Sequence, residues 1–441
     1  MNPLLQMYIA LRFIIDYIVD FIFGLFLNGT RYAISKPKNK LVLQSATSLA
    51  RKIRRKEVTS EEVVKAFIER IKEVNPALNA VVDDRFEEAL KEAQQIDTDI
   101  KSGKIVEDDF KRKPFLGVPF TTKESTVCKG LNVSFGLLAR KYEFGGEDSK
   151  VVELMKNAGG ILLGVTNIPQ LNRWCECYNP VYGVTNNPYN TSKNVGGSSG
   201  GEACIIAARG SPIGIGTDIA GSLRIPSFRC GVFGHKPSHD LISTAGLTFR
   251  TGAENPTMVT AGPMSAHSED LIPLLKILLD DNVNKLRLDE EVNVKKIKIY
   301  YMTESSCLRA SPIPSSMKKV ILKCVDHFNS FSEAKPKEVN FEDVKYGLQL
   351  WMQMLTKEKD NFLKQIKNND GEANAIVEVI RFFTMRSEFT LYTIMNILNE
   401  KLFLRPNAEW AADTIKQLQD EIIKTLGNDG VLLFPSEPYP A

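Results

Sequence analysis

The most apolar stretch of the chain comes first. Residues 4–27 (LLQMYIALRFIIDYIVDFIFGLFL) are interrupted only by Gln6, Arg12, Asp16 and Asp20. At about 1.5 Å per residue this run outreaches a bilayer core of about 30 Å, so the pattern predicts a single N-terminal membrane helix. Arg12, Asp16 and Asp20 recur every fourth residue and fall on one narrow stripe of that helix, where Arg12 can pair with Asp16. A charge at mid-bilayer costs at least about 2.5–3.5 kcal/mol, so a helix lying in the interface, a helix pairing through its stripe and a buried core helix stay open as alternatives. No small-residue cleavage site follows, which speaks against a removable signal peptide. Arg31, Lys36, Lys38 and Lys40 follow the segment while no Lys or Arg precedes Arg12. That bias places the main body on the cytosolic side, with an endomembrane or lipid-droplet surface as the membrane in question.

Past residue 40 the chain alternates between helical and strand periods. Thr59-Ser-Glu-Glu62 offers a capping box ahead of Val63, Phe67, Ile71 and Val74, whose spacing of 4, 4 and 3 marks one face of a helix. Residues 115–122 (FLGVPFTT) read as a strand ending at Lys123. Asp148 is placed to cap a helix through Val151, Leu154, Met155 and Ala158, which stops at Gly159-Gly160 before the apolar strand 161–166. The same switch recurs from EACIIAARG (202–210) to PIGIGTDI (212–219). Strand, helix, strand alternation predicts an α/β fold with a mixed, mostly parallel central sheet covered by helices.

From about residue 297 the texture changes. A strand at 297–302 leads into helical stretches near 315–328, 343–368, 373–402 and 408–426, and Gly427 precedes a last strand at 430–436. A mostly helical lobe, about 297–428, is therefore expected to return to the sheet. Its Trp351, Met352, Met354, Phe382, Phe383, Met385 and Met395 read either as plain core or as the lining of an apolar pocket. The expected organisation is an anchor and linker over 1–40 and one domain over 41–441 that contains the lobe.

Composition narrows the function classes. At 43% hydrophobic and 25% charged, with 29 Gly and 21 Pro in 441 residues, the chain is globular, and disordered or collagen-like readings are excluded. Its 56 basic and 53 acidic residues leave a net charge of +3, so nucleic acid is not an expected partner. Seven cysteines at irregular spacing read as reduced thiols. Cys175 and Cys177 form CxC rather than CxxC, and none of His235, His239, His267 and His327 completes a zinc spacing, so no metal is expected. Sequons at Asn28, Asn132 and Asn190 matter only in a secretory lumen.

The chemistry concentrates in 195–226 (VGGSSGGEACIIAARGSPIGIGTDIAGSLRIP), where Gly-rich turns hold Ser198, Ser199 and Ser222 beside Asp218 and Arg224. Phosphate-loop readings fail: Ser222 stands where a Walker A lysine belongs, and Gly214-Ile-Gly216 lacks the third glycine of a dinucleotide fingerprint. Acyl transfer remains, in two versions. Gly197-Ser-Ser199-Gly-Gly201 satisfies the nucleophile elbow of α/β hydrolases, which would make Ser199 the nucleophile of an esterase, although the preceding YNTSKN is turn-like rather than a strand. The other version needs no histidine. Ser222 follows the strand in GTDIAGS, where the backbone N–H groups of Ile219, Ala220, Gly221 and Ser222 could converge on an oxyanion.

GGSSGG, GTDIAGSLRIPS, GVFGHKPS (231–238) and GVPFTTKE (117–124) occur in the order and spacing of the amidase signature family, which the chain resembles from about residue 44 onward. The apolar N-terminus and NNPYN before GGSSGG are most similar to its type-2 fatty-acid amide hydrolase branch. By motif position, the resemblance implies Lys123 as base, Ser198 as bridging serine behind a cis Gly197–Ser198 peptide, Ser222 as nucleophile and Ser199 as supporting serine. It implies hydrolysis of lipid amides without a cofactor, with a membrane as partner and homodimerisation left open. A lysine can serve as base only when neutral, a state that burial favours. Asp218 and Arg224 read as structural supports of the turns, and Asn172 either as a substrate contact or as an ordinary loop cap. Two departures from the family pattern stand out. Ala220 replaces the usual glycine, which strains the loop if that backbone needs a positive φ. The chain also stops at PSEPYPA, where the family continues with further strands and a helix, so the expectation is a partial sequence or a catalytically impaired relic of the fold.

Overall fold

The continuous apolar runs become the central strands of a six-stranded sheet in a computed structural model of the chain. It describes residues 33–438, apart from 255, 306, 308–309, 359–360 and 403–405, together with Ile14, Tyr17, Ile18, Phe21, Ile22 and Leu25. In chain order the strands are β1 (Val81–Asp84), β2 (Pro119–Lys123), β3 (Ile161–Thr166), a separate hairpin of β4 (Tyr178–Asn179) and β5 (Gly183–Val184), then β6 (Ile213–Asp218), β7 (Phe233–Gly234) and β8 (Thr260–Ser265). The sheet runs β1-β3-β2-β6-β8-β7. Every residue of β2, β3 and β6 is buried, which is why β3 reads as a continuous apolar run, while β2 and β6 carry their polar residues, Thr121 to Lys123 and Thr217 to Asp218, toward their C-terminal ends.

β2 pairs in parallel with β3 and with β6, as strand, helix, strand units require. The pairings of β1 with β3, β6 with β8 and β7 with β8 are antiparallel. The sheet is mixed, but the expected parallel majority is not found, since two of its five pairings are parallel. The antiparallel strands leave little periodic signal: β7 spans two residues, and β8 (TAGPMS) carries Gly262 and Pro263.

Helices Ser60–Leu78, Phe86–Lys101, Lys150–Asn157, Gly200–Ala207 and Leu271–Leu279 pack against this sheet, and their apolar faces form one core with it. The Ser60–Leu78 helix begins with the predicted capping box: Glu62 N–H donates to Thr59 Oγ1 at 3.1 Å and Thr59 N–H to Glu62 Oε2 at 2.8 Å. Asp97 adds a second cap by accepting from the N–H groups of Ser60 and Glu61 at 2.8 and 2.9 Å. The expected Asp148 cap is corrected. Ser149 is the N-cap residue of Lys150–Asn157, and the Asp148 carboxylate instead accepts from Lys129 N–H at 2.9 Å and Lys156 Nζ at 2.7 Å.

The described residues divide into two compact units, the larger made of Ala33–Glu290 and Lys357–Phe403, the smaller including Glu291–Thr356 and Leu404–Pro440. In the larger unit the helices Phe362–Gln365, Ala375–Phe383 and Leu391–Leu402 build a second apolar cluster with Val133, Phe135, Leu137 and Leu171. The helical stretches expected near 343–368 and 373–402 each comprise shorter helices, the second divided where Met385 adopts a φ of 55°. Phe383 and Met385, read as core or pocket lining, are 80% and 95% exposed. In the smaller unit β9 (Lys298–Tyr301) pairs in parallel with β10 (Lys337–Glu338) and with β11 (Gly430–Leu433). The last strand therefore joins a three-stranded sheet of its own and does not return to the large one.

The predicted N-terminal membrane segment lies mostly outside the described residues. Ile14, Tyr17, Ile18, Phe21, Ile22 and Leu25 are helical and 46–74% exposed. Among the described residues no helix is long and apolar enough to cross a membrane. All seven cysteines are free thiols.

One buried carboxylate ties distant parts of the larger unit together. Asp270, fully buried, accepts from the N–H groups of Ala46 and Thr47 at 3.1 and 2.9 Å, at the start of the Ala46–Arg54 helix, and from the hydroxyls of Thr47 and Ser265, both at 2.8 Å. Asp270→Ala leaves these donors without their acceptor and is expected to lower stability by about 2–3 kcal/mol. Urea denaturation checks this, and an unchanged midpoint would refute it.

Candidate active site

Lys123 ends β2 with its side chain wholly inside the protein. Its Nζ lies 2.8 Å from Ser198 Oγ and 2.6 Å from Thr217 Oγ1. Burial pushes this amine down from 10.5 to about 7, against an upward pull from Cys177, Asp218 and Glu202. Lys123 and its neighbour Glu124 do not form a surface ion pair: both side chains are fully buried and have separate partners. Glu124 accepts from Ser134 N–H and Oγ at 2.5 and 2.6 Å and from Phe135 N–H at 3.0 Å. Burial raises its carboxyl to about 7.

Ser198 and Ser199 precede the Gly200–Ala207 helix, and the Gly197–Ser198 peptide is cis. A Cβ on Gly197 would come 2.4 Å from the Trp174 carbonyl oxygen, so the close backbone approach requires glycine. Ser199 is fully buried. Its N–H donates to the Ser222 carbonyl at 2.9 Å, and its Oγ lies 3.3 Å from both the N–H and the C=O of Thr217. No strand precedes it within 195–198, so the strand that a nucleophile elbow needs is missing.

Ser222 sits at 9% exposure in the turn between β6 and the Arg224–Cys230 helix. Asp218, the last residue of β6, organises that turn. Its carboxylate accepts from Gly221 N–H at 2.8 Å and Leu223 N–H at 3.1 Å, and it forms a bidentate pair with Arg224 at 3.0 Å for each bond. Against the upward push of burial, these partners hold the carboxyl below its usual value. The positive φ of the turn, 108°, falls on Gly221, and Ala220 is not among the residues with positive φ, so its β-carbon brings no such strain. One of the four predicted oxyanion donors is already committed, because Gly221 N–H is bound to Asp218. Ala220 and Ser222 stand on either side of Gly221 in the same turn.

The Asn172 side chain ties its loop to two other segments. Its Nδ2 donates to Ser125 Oγ at 2.9 Å and to Thr248 Oγ1 at 3.1 Å, and its φ is 60°. Two residues at the site escaped sequence reasoning, Thr217 against Lys123 and Glu202. Glu202 is fully buried and accepts from Thr121 Oγ1 at 2.5 Å and Thr166 Oγ1 at 2.8 Å. A signal existed, an acidic residue opening the apolar run ACIIAA, but the S-x-x-E spacing from Ser199 reads first as a helix cap. Among the described residues no group of His, Cys, Asp and Glu could hold a metal ion.

The sequence model of the family described as Amidase matches residues 62–441. Fatty-acid amide hydrolase 2-A of Danio rerio is 40% identical over 432 residues, 95% of this chain and 81% of the relative. Fatty-acid amide hydrolase 2 of Homo sapiens is 37% identical over the same shares. A solved structure of a fatty acid amide hydrolase superposes with a TM-score of 0.70 at 19% identity, covering 92% of this chain and 70% of that one. A crystal structure of an amidase does so at 0.70 and 21%, covering 90% and 83%.

The displaced lysine has a thermodynamic signature. Between pH 7 and 10.5 the unfolded chain binds a proton at Lys123 that the folded chain does not hold, so this residue's contribution to stability rises with pH across that window. Lys123→Met is therefore expected to be more stable than the parent at pH 7, with the gain shrinking toward zero as pH approaches 10.5. Chemical denaturation of both proteins at pH 7 and 9.5 measures the difference, and a pH-independent difference would contradict the assignment.

Proposed function

The chain belongs to the amidase family, and from that footing we propose that it hydrolyses lipid amides of the fatty-acid class through an acyl-enzyme on Ser222. That it is an amide hydrolase follows from the family and from its fatty-acid amide hydrolase relatives. The observation that carries the mechanism is the 2.8 Å contact between Lys123 Nζ and Ser198 Oγ, closed off from solvent.

In this reading neutral Lys123 takes the proton of Ser198 as Ser198 takes that of Ser222, and Ser222 Oγ attacks the amide carbonyl carbon. The N–H groups of Ala220 and Ser222 supply the oxyanion donors, while Asp218 and Arg224 hold the turn that presents them. Collapse of the tetrahedral intermediate breaks the C–N bond. The proton returns through Ser198 to the departing nitrogen, which leaves as an amine, and water then cleaves the ester and regenerates Ser222. Ser199 supports the site by joining the two turns through its bond to the Ser222 carbonyl.

The N-terminal segment serves in this reading to hold the enzyme on a membrane, with the main body on the cytosolic side. Support comes from the apolar run over 4–27, from the exposed helical side chains of Ile14, Tyr17, Ile18, Phe21, Ile22 and Leu25, and from the basic residues Arg31, Lys36, Lys38 and Lys40 that follow.

Labelling with a fluorophosphonate is expected to give one adduct, on Ser222, and an adduct on Ser199 would favour an elbow esterase instead. Lys123→Ala should cost several orders of magnitude in acylation by amides and less by esters, because an alkoxide leaving group depends less on the returned proton. Equal losses on both substrates would remove Lys123 from the relay. Deleting residues 1–30 should move the protein from the membrane pellet into a high-salt soluble fraction, and a deleted form that stays in the pellet would refute the anchor.

A further inference from the structure

A capping box stands in the sequence at Ser199-Gly-Gly-Glu202, and neither of its side chains caps the helix. The Gly200–Ala207 helix has no side-chain cap bond, Ser199 N–H donates to Ser222, and the Ser199 hydroxyl turns to Thr217. Glu202, at the third helical position, sends its carboxyl into the sheet instead. There it accepts from Thr121 of β2 and Thr166 of β3, and it lies against Gly214 of β6, where a Cβ would come 1.7 Å from Oε1. One carboxyl thus touches three neighbouring strands.

Two cross-links run side by side between β2 and this segment. Lys123 reaches Ser198, and Thr121, two residues earlier on the same face of the strand, reaches Glu202, one helical turn after Ser198. The groups that bear on the charge of Lys123 are Cys177, Asp218 and Glu202. Burial raises the Cys177 thiol to about 11, which leaves it uncharged at neutral pH, and Asp218 is paired with Arg224. Burial raises the Glu202 carboxyl to about 7, and the hydroxyls of Thr121 and Thr166 and the charge of Lys123 draw it back down, so the acid and the amine titrate against each other.

We propose that Glu202 is a positioning residue for Lys123, fixing the register of β2 against the Ser198 turn and setting the pH at which the amine becomes a base. The proposal rests on the reading of Lys123 as the base. As a carboxylate, Glu202 stabilises the ammonium and so delays the loss of its proton as pH rises.

The test is the acidic limb of the pH profile of kcat/KM, read on an amide and on an ester. Glu202→Gln keeps the shape and removes the charge, and is expected to move the midpoint of the limb to lower pH by about one unit. Should Glu202→Gln fail to melt cooperatively, Thr121→Val carries the test. It removes one hydrogen bond to the carboxylate, raises the proton affinity of Glu202 and moves the limb the same way by less. A limb that disappears in Lys123→Ala, measured on the ester, but stays in place in the folded Glu202 or Thr121 variant overturns this inference alone. A limb that persists unchanged in Lys123→Ala overturns both the inference and the reading beneath it.

Discussion

An amine with no access to water is the constraint around which the larger unit is arranged. Lys123 is a residue that the interior ordinarily rejects, yet it ends a strand of which every residue is buried. Two hydroxyls, Ser198 Oγ and Thr217 Oγ1, receive its nitrogen, and the apolar strands around it bring the amine close to neutrality. The complete burial of β2, β3 and β6 therefore acts chemically as well as structurally, because the same dry packing that stabilises the sheet weakens the hold of the lysine on its proton.

Such a site works only if its parts cannot drift, and the bonds around it are redundant. Asp218 closes the turn that carries Ser222 through the N–H groups of Gly221 and Leu223 and a bidentate arginine, and its charge is neutralised locally. The bond from Ser199 N–H to the Ser222 carbonyl joins this turn to the one carrying Ser198. The two glycine-rich turns are far apart in the sequence of elements, on either side of a helix and a strand, but are bonded directly to each other at the site.

Much of this was legible from residue order. The capping box at Thr59, the strands at 119–123 and 161–166 and the turn after β6 carry strong local signals, and the glycine and serine motifs pointed to Lys123, Ser198 and Ser222 before any coordinates. What escaped reading depends on tertiary placement. β1, β7 and β8 are strands because a neighbour offers them a ladder, not because of their own period. Asp148 and Glu202 each stand where a cap is expected, and each finds a better partner across the fold. Glu124 resembles the surface half of an ion pair in sequence, and only the loop at Ser134 and Phe135 reveals it as a buried acceptor. Local rules name the bond a side chain can make, while the fold decides which competing bond it does make.

The contact between Gly214 and Glu202 carries a consequence for how this sequence can vary. With 1.7 Å between Oε1 and the place of a β-carbon, no side chain can appear at position 214 while the acid stays where it is. Alanine there would force the glutamate carboxyl to swing away from Thr121 and Thr166 or give way to a shorter side chain. The cost of a substitution at position 214 is therefore set by how far that carboxyl can move, and the glycine becomes a record of the acid it shelters.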